Sequence, residues 1–337
     1  MNPPSPPVTL DTLAKAANLS KGAISLALRG RPGVSEATRK RVRRLADQLG
    51  YRPDAAMASL NDRRWHPHQR KPTWNLAWLT EEANGLDILN AAAQAKGYGV
   101  SMIQLRPGMK ARELNRELRA LDLHGVLLNR ISHPVLGRPS WWKEVAWKDF
   151  VWVAVNEGLL APPVHRVLNN AFAATSGSLE KIQRLGYRRI VFIRNPDLES
   201  RVNVRQHAAF LQFACSHPRL ASADFELGRS EPIPDRWFER VRDFEPDVLL
   251  LGYPGLHRRL PQELQQLPWA SLGIWEPDGQ VAGHYWDFTE ITKLAIDMAD
   301  LQIRRNAVGI PKRRHTMLVD GVWTNGTNLP DRRRAGR

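Results

Sequence analysis

The sequence is poor in the features of secreted, membrane-bound or disulfide-stabilised proteins. Its one cysteine, Cys215, excludes an internal disulfide, which is consistent with a reducing compartment. No run of eighteen apolar residues is present, so no membrane-spanning helix is predicted. Residues 1–7 form a short proline-rich stretch without the basic and apolar regions of a signal peptide. We therefore expect a cytoplasmic globular protein, and its length of 337 residues predicts two or three domains.

Motifs of catalysis are also missing. The sequence has no glycine-rich loop of phosphate-binding spacing, no Gly-x-Ser-x-Gly, no His-Glu-x-x-His and no Cys/His metal cluster. His66 and His68 are neighbours in a linker, where histidines are more often solvated than bound to metal. Glu81 and Glu82 are adjacent, and adjacent side chains of an extended segment point apart. The sequence thus predicts no enzyme, no cofactor and no metal site.

Acidic residues are few beside the basic ones. The chain has 34 Asp and Glu against 49 Lys and Arg, a formal net charge of +15. Residues 1–64 hold 12 basic and 5 acidic residues, a net charge of +7. By itself the cluster Arg39-Lys40-Arg41 with Arg43-Arg44 could equally be a solvated helix face. Beside a helix-turn-helix pattern, such a cluster favours a polyanionic partner.

The stretch 8–28 is typical of two short helices joined by a tight turn. Thr9 and Ser20 have the hydroxyls to cap them, and Asn18 tolerates the left-handed conformation that ends the first. Apolar spacing predicts that the buried residues are Leu10, Leu13, Ala14, Ala17, Ile24, Ala27 and Leu28. The outward face of the second helix can approach a polyanion closely, and it consists of Lys21, Gly22, Ser25, Leu26 and Arg29.

A third helix is expected between the cap Ser35 and Gly50, with an apolar stripe of Val42, Leu45, Ala46 and Leu49. Asp54 can cap a further short helix over 55–60. That helix is too short to be stable alone, so it needs its copy in a dimer or DNA. Residues 61–72 show no periodicity and are interpreted as a linker.

These pieces together resemble the DNA-binding head of the lactose-repressor (LacI/GalR) family of bacterial transcription regulators. The matching pieces are Val8-Thr9-Leu10, Ala14-Lys15-Ala16-Ala17, Ile24-Ser25, Val34-Ser35, Thr38-Arg39, Val42 and Leu49-Gly50-Tyr51-Arg52-Pro53. The resemblance implies a three-helix head and a hinge helix that forms on operator DNA, with Leu60 wedged into the minor groove. The residues expected to contact DNA are Thr9, Ser20, Lys21, Gly22, Ala23, Ser25, Leu26, Arg29, Val34, Ser35, Tyr51, Arg52, Ala58 and Leu60.

Leu26 departs from the family, whose members usually carry an arginine there. Arginine reads guanine through two hydrogen bonds, whereas leucine can only contact a thymine methyl. We therefore expect an operator without the guanine preference that this position otherwise confers. The alternative is that Leu26 touches no base.

After the linker, buried strands alternate with helices, which is typical of parallel sheets covered on both faces. In the first half we expect strands over 74–80, 100–105, 125–129 and 150–155, and helices over 86–96 and 111–121. After a crossover near 165–167, the second half has expected strands over 189–193, 247–252 and 270–275, and helices over 171–185, 204–216 and 288–305. Two such halves suit a cleft that closes on a ligand by hinge motion.

The second half resembles the same family more loosely, at 185–193 and 286–290. The implied fold is an all-α helix-turn-helix head plus an α/β, periplasmic-binding-protein-like effector domain of two doubly wound lobes. The expected divisions are a head with hinge helix (1–60), a linker (61–72), an effector-binding and dimerisation domain (73–330) and a basic tail (331–337). The first lobe is expected over about 73–163 and 287–312 and the second over about 164–286 and 313–328, with 316–323 completing the second.

Ligands of open parallel sheets bind beyond the carboxyl ends of the strands. The candidate ligand residues at those ends, or at the opening of a helix, are Thr80, Glu81, Asn129, Arg130, Asn156, Arg194, Asn195, Arg201, Arg205, Tyr253, Trp275 and Glu276. The 12 tryptophans mildly favour a sugar, although Trp78 and Trp152 lie within strands and favour a core role. Sugar-responsive relatives carry Asn-Asp and Asp-Asp where this chain has Tyr253-Pro254 and Trp275-Glu276. A sugar therefore does not carry over residue by residue, and the arginines leave an anionic ligand open.

We interpret the sequence as a cytoplasmic, nucleoid-associated bacterial regulator that binds a near-palindromic operator as a homodimer. Repression of transcription is expected, with activation as the open alternative. A sugar or other metabolite in the cleft is expected to modulate it, and no membrane partner is expected. Residues 327–337 contain no leucine heptads, so no tetramerising coiled coil is expected. The alternatives are a non-specific nucleoid-type DNA binder and a regulator that responds to no ligand.

Overall fold

The computed structural model of the protein describes residues 9–28, 33–49, 74–81, 86–129, 139–156, 163–196, 202, 204–227 and 233–335. These residues form two compact units. One is N-terminal and contains the described residues 9–28 and 33–49, and the other is an α/β unit with two six-stranded sheets. None of the helices in these ranges is both long and apolar enough to span a bilayer.

The N-terminal unit contains three helices over its described part, α1 (Leu10–Ala17), α2 (Lys21–Leu28) and α3 (Glu36–Leu49). Their apolar faces meet in a core of Leu13, Ala14, Ala17, Ile24, Ala27, Val42 and Ala46, with Leu10, Leu28 and Leu45 packed against it. The sequence pattern places Leu49 in this core as well, but Leu49 is 38% exposed. A helix rises about 1.5 Å per residue, so the end of the 14-residue α3 extends past the two 8-residue helices that pack against Val42, Leu45 and Ala46.

Local hydrogen bonds fix both ends of α1 as predicted. The Thr12 N–H donates to Thr9 Oγ1 at 3.3 Å, and the Thr9 N–H donates to Thr12 Oγ1 at 3.3 Å. Asn18 ends the helix in the left-handed region, with φ 53° and ψ 48°. Because an N-cap of this kind stabilises a helix by about 1 kcal/mol, short polar side chains determine where α1 starts.

The first sheet of the α/β unit is parallel throughout. Its strands are β1 (Trp74–Thr80), β2 (Tyr98–Gln104), β3 (Leu123–Asn129), β4 (Val151–Val155), β5 (His165–Asn169) and β11 (Thr316–Val319). Their order across the sheet is β11-β5-β4-β3-β1-β2. Trp78 and Trp152 are buried, with exposures of 0% and 1%, so the predicted core role of both is confirmed.

The second sheet is parallel except at one edge. Its strands are β6 (Arg189–Arg194), β7 (Ala221–Glu226), β8 (Val248–Leu251), β9 (Trp269–Ile274), β10 (Ala282–Tyr285) and β12 (Val322–Thr324). Their order is β12-β10-β9-β8-β6-β7, and β12 runs antiparallel to β10. All the carboxyl ends of the parallel strands therefore lie along one edge of each sheet.

Helices accompany both sheets. In chain order they are α4 (Leu86–Ala95), α5 (Ala111–Ala120), α6 (Pro139–Glu144), α7 (Ala171–Arg184), α8 (Arg205–Ser216), α9 (Asp235–Asp243), α10 (Gln262–Gln265), α11 (Phe288–Arg304) and α12 (Arg332–Ala335). Helix α11 returns to the first sheet, where Tyr98 Oη donates to Asp300 Oδ1 at 2.6 Å. Helix α7 packs on the second sheet through Ser178 and His284.

Two strands belong to a different lobe from the one that the sequence predicts. Strand β5 is expected in the second lobe, but it pairs with β4 in the first sheet. Strand β11 is also expected in the second lobe, but it pairs in parallel with β5, from Thr316 opposite Arg166 to Val319 opposite Asn169. Of the stretch 316–323, only the part in β12 joins the second sheet. The predicted lobe of both strands is wrong because strand pairing joins distant segments, and the local pattern of apolar residues does not indicate which strands pair.

Candidate nucleic-acid interface and effector cleft

Helix α2 is the candidate recognition helix, and its own cap and the core hold it in place. Ser20 Oγ accepts a hydrogen bond from the Ala23 N–H at 3.1 Å, as predicted for an N-cap. On the inner face, Ile24 and Ala27 are fully buried. The position of α2 is therefore determined by packing that does not involve its outer face.

The outer face of α2 is open at its first turn and partly covered further along. Lys21 and Gly22 are exposed, whereas Ser25 and Leu26 are half-buried. A Cβ on Gly22 would meet nothing closer than Ser20 Oγ at 3.9 Å, so the space in front of this turn is open. The expected outward orientation thus holds fully for the first turn, which is the part of a recognition helix that contacts base edges.

Leu26 packs on the turn that precedes α3. Its Cδ1 lies 3.2 Å from the position that a Cβ on Gly33 would occupy, and Gly33 has a φ of +116°. A glycine suits both this backbone conformation and this close approach. Leu26 thus has a packing role in addition to any contact with a base.

Helix α3 carries the basic cluster, and two of its arginines have structural roles. Arg41 Nη2 donates to the Ala17 carbonyl at 2.7 Å, which satisfies the carboxyl end of α1. Arg39 Nη1 lies 3.0 Å from Glu36 Oε2. The remaining members of the cluster are all exposed, and they are Lys40, Arg43 and Arg44.

The structure describes only some of the other residues that are predicted to contact DNA. Ser35 caps α3 by accepting from the Thr38 N–H at 3.2 Å, and Val34 packs against the head core. Thr9 and Ala23 lie at the starts of α1 and α2. The predicted site residues outside the described residues are Arg29, Tyr51, Arg52, Ala58, Leu60, Arg130 and Arg201.

At the carboxyl edge of the first sheet, three predicted ligand residues come together. Asn129 Nδ2 donates to Thr80 Oγ1 at 3.3 Å, and Asn156 Nδ2 donates to Asn129 Oδ1 at 3.4 Å. All three are at most 7% exposed. Glu81 follows Thr80 and is half-buried, and its carbonyl accepts from Gln104 Nε2 at 3.1 Å. Apart from Glu81, this polar row of Thr80, Asn129 and Asn156 has uncharged donors and acceptors at the place where open sheets bind ligands.

At the corresponding edge of the second sheet, Arg194 is already ion-paired. Its Nε lies 2.8 Å from Asp224 Oδ2, and its Nη2 lies 3.0 Å from Glu226 Oε2, both on the neighbouring β7. Asp224 Oδ2 also lies 3.3 Å from His207 Nε2. Arg205 turns back to donate from Nε to the Val202 carbonyl at 2.7 Å. Two carboxylates therefore compensate the charge of Arg194, which disfavours an anionic ligand beside it.

Two residues at this edge were not identified from the sequence, Gln206 and Trp286. Gln206 is 0% exposed, and neither its Oε1 nor its Nε2 has a hydrogen-bond partner among the described residues. Its Oε1 lies 3.6 Å from the Cβ position of Gly252, which follows β8. Trp286, which follows β10, also has a buried indole Nε1 without a partner in the described part of the chain. Because a buried unsatisfied polar group costs about 1–3 kcal/mol, both groups are candidates to bind a polar ligand or water.

Further predicted residues occupy the loops that follow strands β6, β8 and β9. Asn195, after β6, is 0% exposed and donates from Nδ2 to the Leu227 carbonyl at 3.0 Å. Tyr253, after β8, packs partly buried against the core beneath the second sheet. Trp275 is 48% exposed and Glu276 is exposed. Of these residues, Trp275 presents the most apolar surface to solvent.

Behind the cleft edge, burial lowers the pKa of His284 to about 4, against a weaker opposing effect of Asp320. Its Nδ1 lies 2.9 Å from Ser178 Oγ on α7. His284 is therefore neutral near pH 7 and belongs to the interior of the second lobe. Among the described residues, no group of three or more His, Cys, Asp or Glu side chains could hold a metal ion.

Comparisons with known proteins show what each part of the chain is similar to. Residues 9–54 match the family described as bacterial regulatory proteins, lacI family. No curated protein matches the sequence significantly. The lac repressor dimer bound to operator and the anti-inducer ONPF is similar in structure, with a TM-score of 0.56 and 16% identity, covering 96% of this chain and 100% of that one.

Two further solved structures resemble the α/β unit. A periplasmic binding protein/LacI transcriptional regulator from Alkaliphilus metalliredigens, complexed with D-xylulofuranose, has a TM-score of 0.52 and 14% identity over 74% of this chain and 97% of that one. The trehalose repressor from Escherichia coli has a TM-score of 0.52 and 16% identity over 74% of this chain and 99% of that one.

The family match thus confirms the resemblance of the head to the lacI family, and the solved structures confirm the expected two-lobed fold of the rest of the chain. The lacI family consists of regulatory DNA-binding proteins and not of enzymes. This protein combines the helix-turn-helix domain of the lacI family of bacterial regulatory proteins with the two-lobed, periplasmic-binding-protein-like α/β fold of LacI-type regulators.

Proposed function

We propose that the protein is a sequence-specific transcriptional repressor that binds a near-palindromic operator as a homodimer. The observation that carries the proposal is the exposed first turn of α2, where Lys21 and Gly22 project from a packed three-helix core. A recognition helix enters the major groove by this turn. The structurally similar lac repressor was solved as a dimer bound to operator, which supports the same assembly here.

The segment between the two units is proposed to complete the DNA contact. By family resemblance, residues 55–60 are proposed to form a hinge helix on the operator, with Leu60 unstacking a base step in the minor groove. Residues 61–72 link this hinge to the effector domain. The protein is proposed to act in the bacterial cytoplasm, on nucleoid DNA.

The ligand proposed for the cleft between the lobes is a neutral metabolite rich in hydroxyl groups, such as a sugar. The amide row of Asn129 and Asn156 and the unpaired Gln206 amide offer donors and acceptors without net charge. Arg194 is compensated by two carboxylates, which disfavours an anion. The similar regulator with bound D-xylulofuranose supports this class of ligand.

Ligand and operator are proposed to affect each other through lobe closure. If closure changes the spacing of the two hinge helices in the dimer, operator affinity changes by the same factor as ligand affinity. The lobes involved are the two sheets with their helices, and the first lobe includes β5 and β11.

The test of the proposal is selection of binding sites from random duplex DNA by the purified full-length protein. A regulator of this kind recovers a two-fold symmetric site, since a symmetric dimer presents the same recognition helix twice. Recovery of no common sequence would indicate the non-specific alternative. Analytical ultracentrifugation of the complex with the recovered site then counts the protomers bound.

A further inference from the structure

A basic loop crosses the first sheet at the edge opposite the candidate ligand residues. We define the basic loop as residues 309–315, between α11 and β11. At one end the Gly309 N–H donates to the Phe150 carbonyl at 2.8 Å, just before β4. At the other end the His315 N–H donates to His165 Nδ1 at 3.1 Å, at the start of β5. The loop is thus held across the amino-terminal ends of two neighbouring strands.

The basic loop carries three exposed cations in sequence, Lys312, Arg313 and Arg314. None of them makes an ion pair or side-chain hydrogen bond with a described residue. Lys148 is also exposed, and its Cα lies 3.7 Å from the Cβ position of Gly309, at the start of the basic loop. The carboxylate next to it, Asp149, is paired with Arg119 at 3.0 Å. The basic loop and the residue packed against its start therefore carry four exposed cations, none with a carboxylate partner among the described residues.

The head does not account for the charge of the whole chain. Residues 65–337 contain 37 basic and 29 acidic residues, a net charge of +8. A domain that only bound a neutral metabolite would not need this excess. An excess of exposed Lys and Arg on one surface is typical of a surface that binds a polyanion.

The basic loop lies at the edge of the first sheet where strand β1 begins. In a parallel sheet all strands begin at the same edge, and β1 begins there at Trp74, the first described residue after the segment that leads from the head. Strand β5 lies three strands from β1, a distance of about 14 Å at 4.8 Å per strand. Trp74, the first described residue after the head, therefore lies at the edge of the first sheet that carries the four cations.

We propose that Lys312, Arg313, Arg314 and Lys148 form a second DNA-contact surface, which binds the phosphate backbone of the duplex flanking the operator. This inference rests on the proposed function, because it needs the head to bind an operator in the same duplex. Lys and Arg contacts to phosphate carry no sequence information, but they add affinity and salt dependence. The basic loop thus adds to the free energy of binding without changing which sequence is read.

The test compares one selected operator in two duplexes, of about 22 and about 46 base pairs, the longer adding about one helical turn of flanking DNA on each side. The variant is Lys312→Gln/Arg313→Gln/Arg314→Gln. The matched control is Lys110→Gln/Arg112→Gln/Arg116→Gln, which removes three exposed charges, unpaired among the described residues, at and after the start of α5. Affinity of the full-length protein for both duplexes is measured as a function of salt.

The wild type and the control are expected to bind the longer duplex at least about tenfold more tightly, and the loop variant to bind both duplexes about equally. On the longer duplex, the salt slope of the loop variant falls by about 0.9 for each phosphate that is no longer neutralised, up to about 3 per protomer. Lys148→Gln alone reduces the slope by about 0.9 and serves as an independent variant.

Two different failures are distinguishable. If the loop variant keeps the wild-type ratio between the two duplexes, the basic loop does not contact DNA and the inference is wrong. If the wild type does not prefer the selected operator over scrambled DNA, the proposed function fails first. An unchanged thermal unfolding curve of the loop variant shows that its weaker binding does not come from a loss of folding.

Discussion

Lys21 at the start of α2 and Asp11 in the first turn of α1 form an ion pair, with Nζ 2.6 Å from Oδ1. Both side chains are more than half exposed, at 64% and 57%. An exposed pair of this kind contributes about 0–1 kcal/mol, so it does not hold the head together. The pair does engage the Lys21 ammonium group, which is the first cation of α2 available to a phosphate or a base.

Replacing Asp11 is expected to strengthen DNA binding. Asp11→Asn frees Lys21 and removes one negative charge facing the polyanion, and operator affinity should rise about fivefold at low salt, or about 1 kcal/mol. Asp47→Asn is the matched control, since it removes an exposed carboxylate from α3. Equal effects of the two substitutions would mean that Lys21 does not act in binding. The measurement is operator affinity by fluorescence anisotropy.

Gly22→Ala separates folding from DNA contact. A Cβ at Gly22 has open space around it, and alanine favours a helix over glycine by up to about 1 kcal/mol, so the head should be as stable as before or more stable. On DNA, the added methyl group occupies the surface at which α2 approaches the groove. We expect operator affinity to fall about tenfold or more, about 1.4 kcal/mol or more. Wild-type affinity with an unchanged melting temperature would exclude close approach at this turn.

Leu26 is expected to determine one base preference of the operator. Sites selected by the wild type should lack a strongly preferred guanine at the position facing Leu26, and Leu26→Arg should introduce one, worth about 1–3 kcal/mol of discrimination. Leu26→Ala provides the comparison without a long side chain. A guanine that the wild type selects strongly and that Leu26→Ala no longer selects would overturn this assignment.

Gln206→Leu is expected to remove ligand binding without loss of stability. The substitution deletes a buried amide that has no partner among the described residues, so the unliganded domain should stay as stable or gain about 1–3 kcal/mol. The ligand is sought by thermal unfolding with a panel of neutral sugars, because binding to the native state raises Tm. The sugar that raises the Tm of the wild type should not raise that of the variant. A strongly destabilised variant would instead show that Gln206 is a structural residue.

His284 is expected to make the second lobe less stable in acid. Burial lowers its folded pKa to about 4, below the unfolded value of 6.5. Between these values the unfolded chain binds the extra proton, so stability is fully present above pH 6.5 and is lost as the pH falls toward 4. Urea unfolding of wild type and His284→Gln at pH 7 and pH 5 should show about 2 kcal/mol more loss in the wild type. An equal loss in both proteins would contradict the shift.

The parts of the structure that depend on local interactions could be predicted from the sequence. The caps Thr9, Ser20 and Ser35 and the left-handed Asn18 follow from hydrogen bonds within three or four residues. Helical periodicity identifies the head core, except for Leu49 at the end of α3. Apolar runs identify most of the buried strands of both sheets.

Features that depend on pairing between distant segments could not be predicted. Strands β7 and β10 escape detection because their sequences, ASADFE and AGHY, lack a run of apolar residues. The lobe assignment of β5 and β11 depends on their pairing across about 150 residues. The partners of Arg194 lie on β7, so no nearby residue in the sequence indicates that this arginine is neutralised. Gln206 is identified as a candidate ligand-binding residue only from its burial beside Gly252, which the sequence does not indicate.

The most direct test of a specific regulator is the ratio of two affinities of the full-length protein, for its selected operator and for the same base pairs in scrambled order. At about 0.15 M salt we predict a ratio of at least about 1,000, the lower end for specific DNA-binding proteins. A ratio near one, with both affinities falling equally with salt, would contradict this prediction and identify the protein as a non-specific DNA binder.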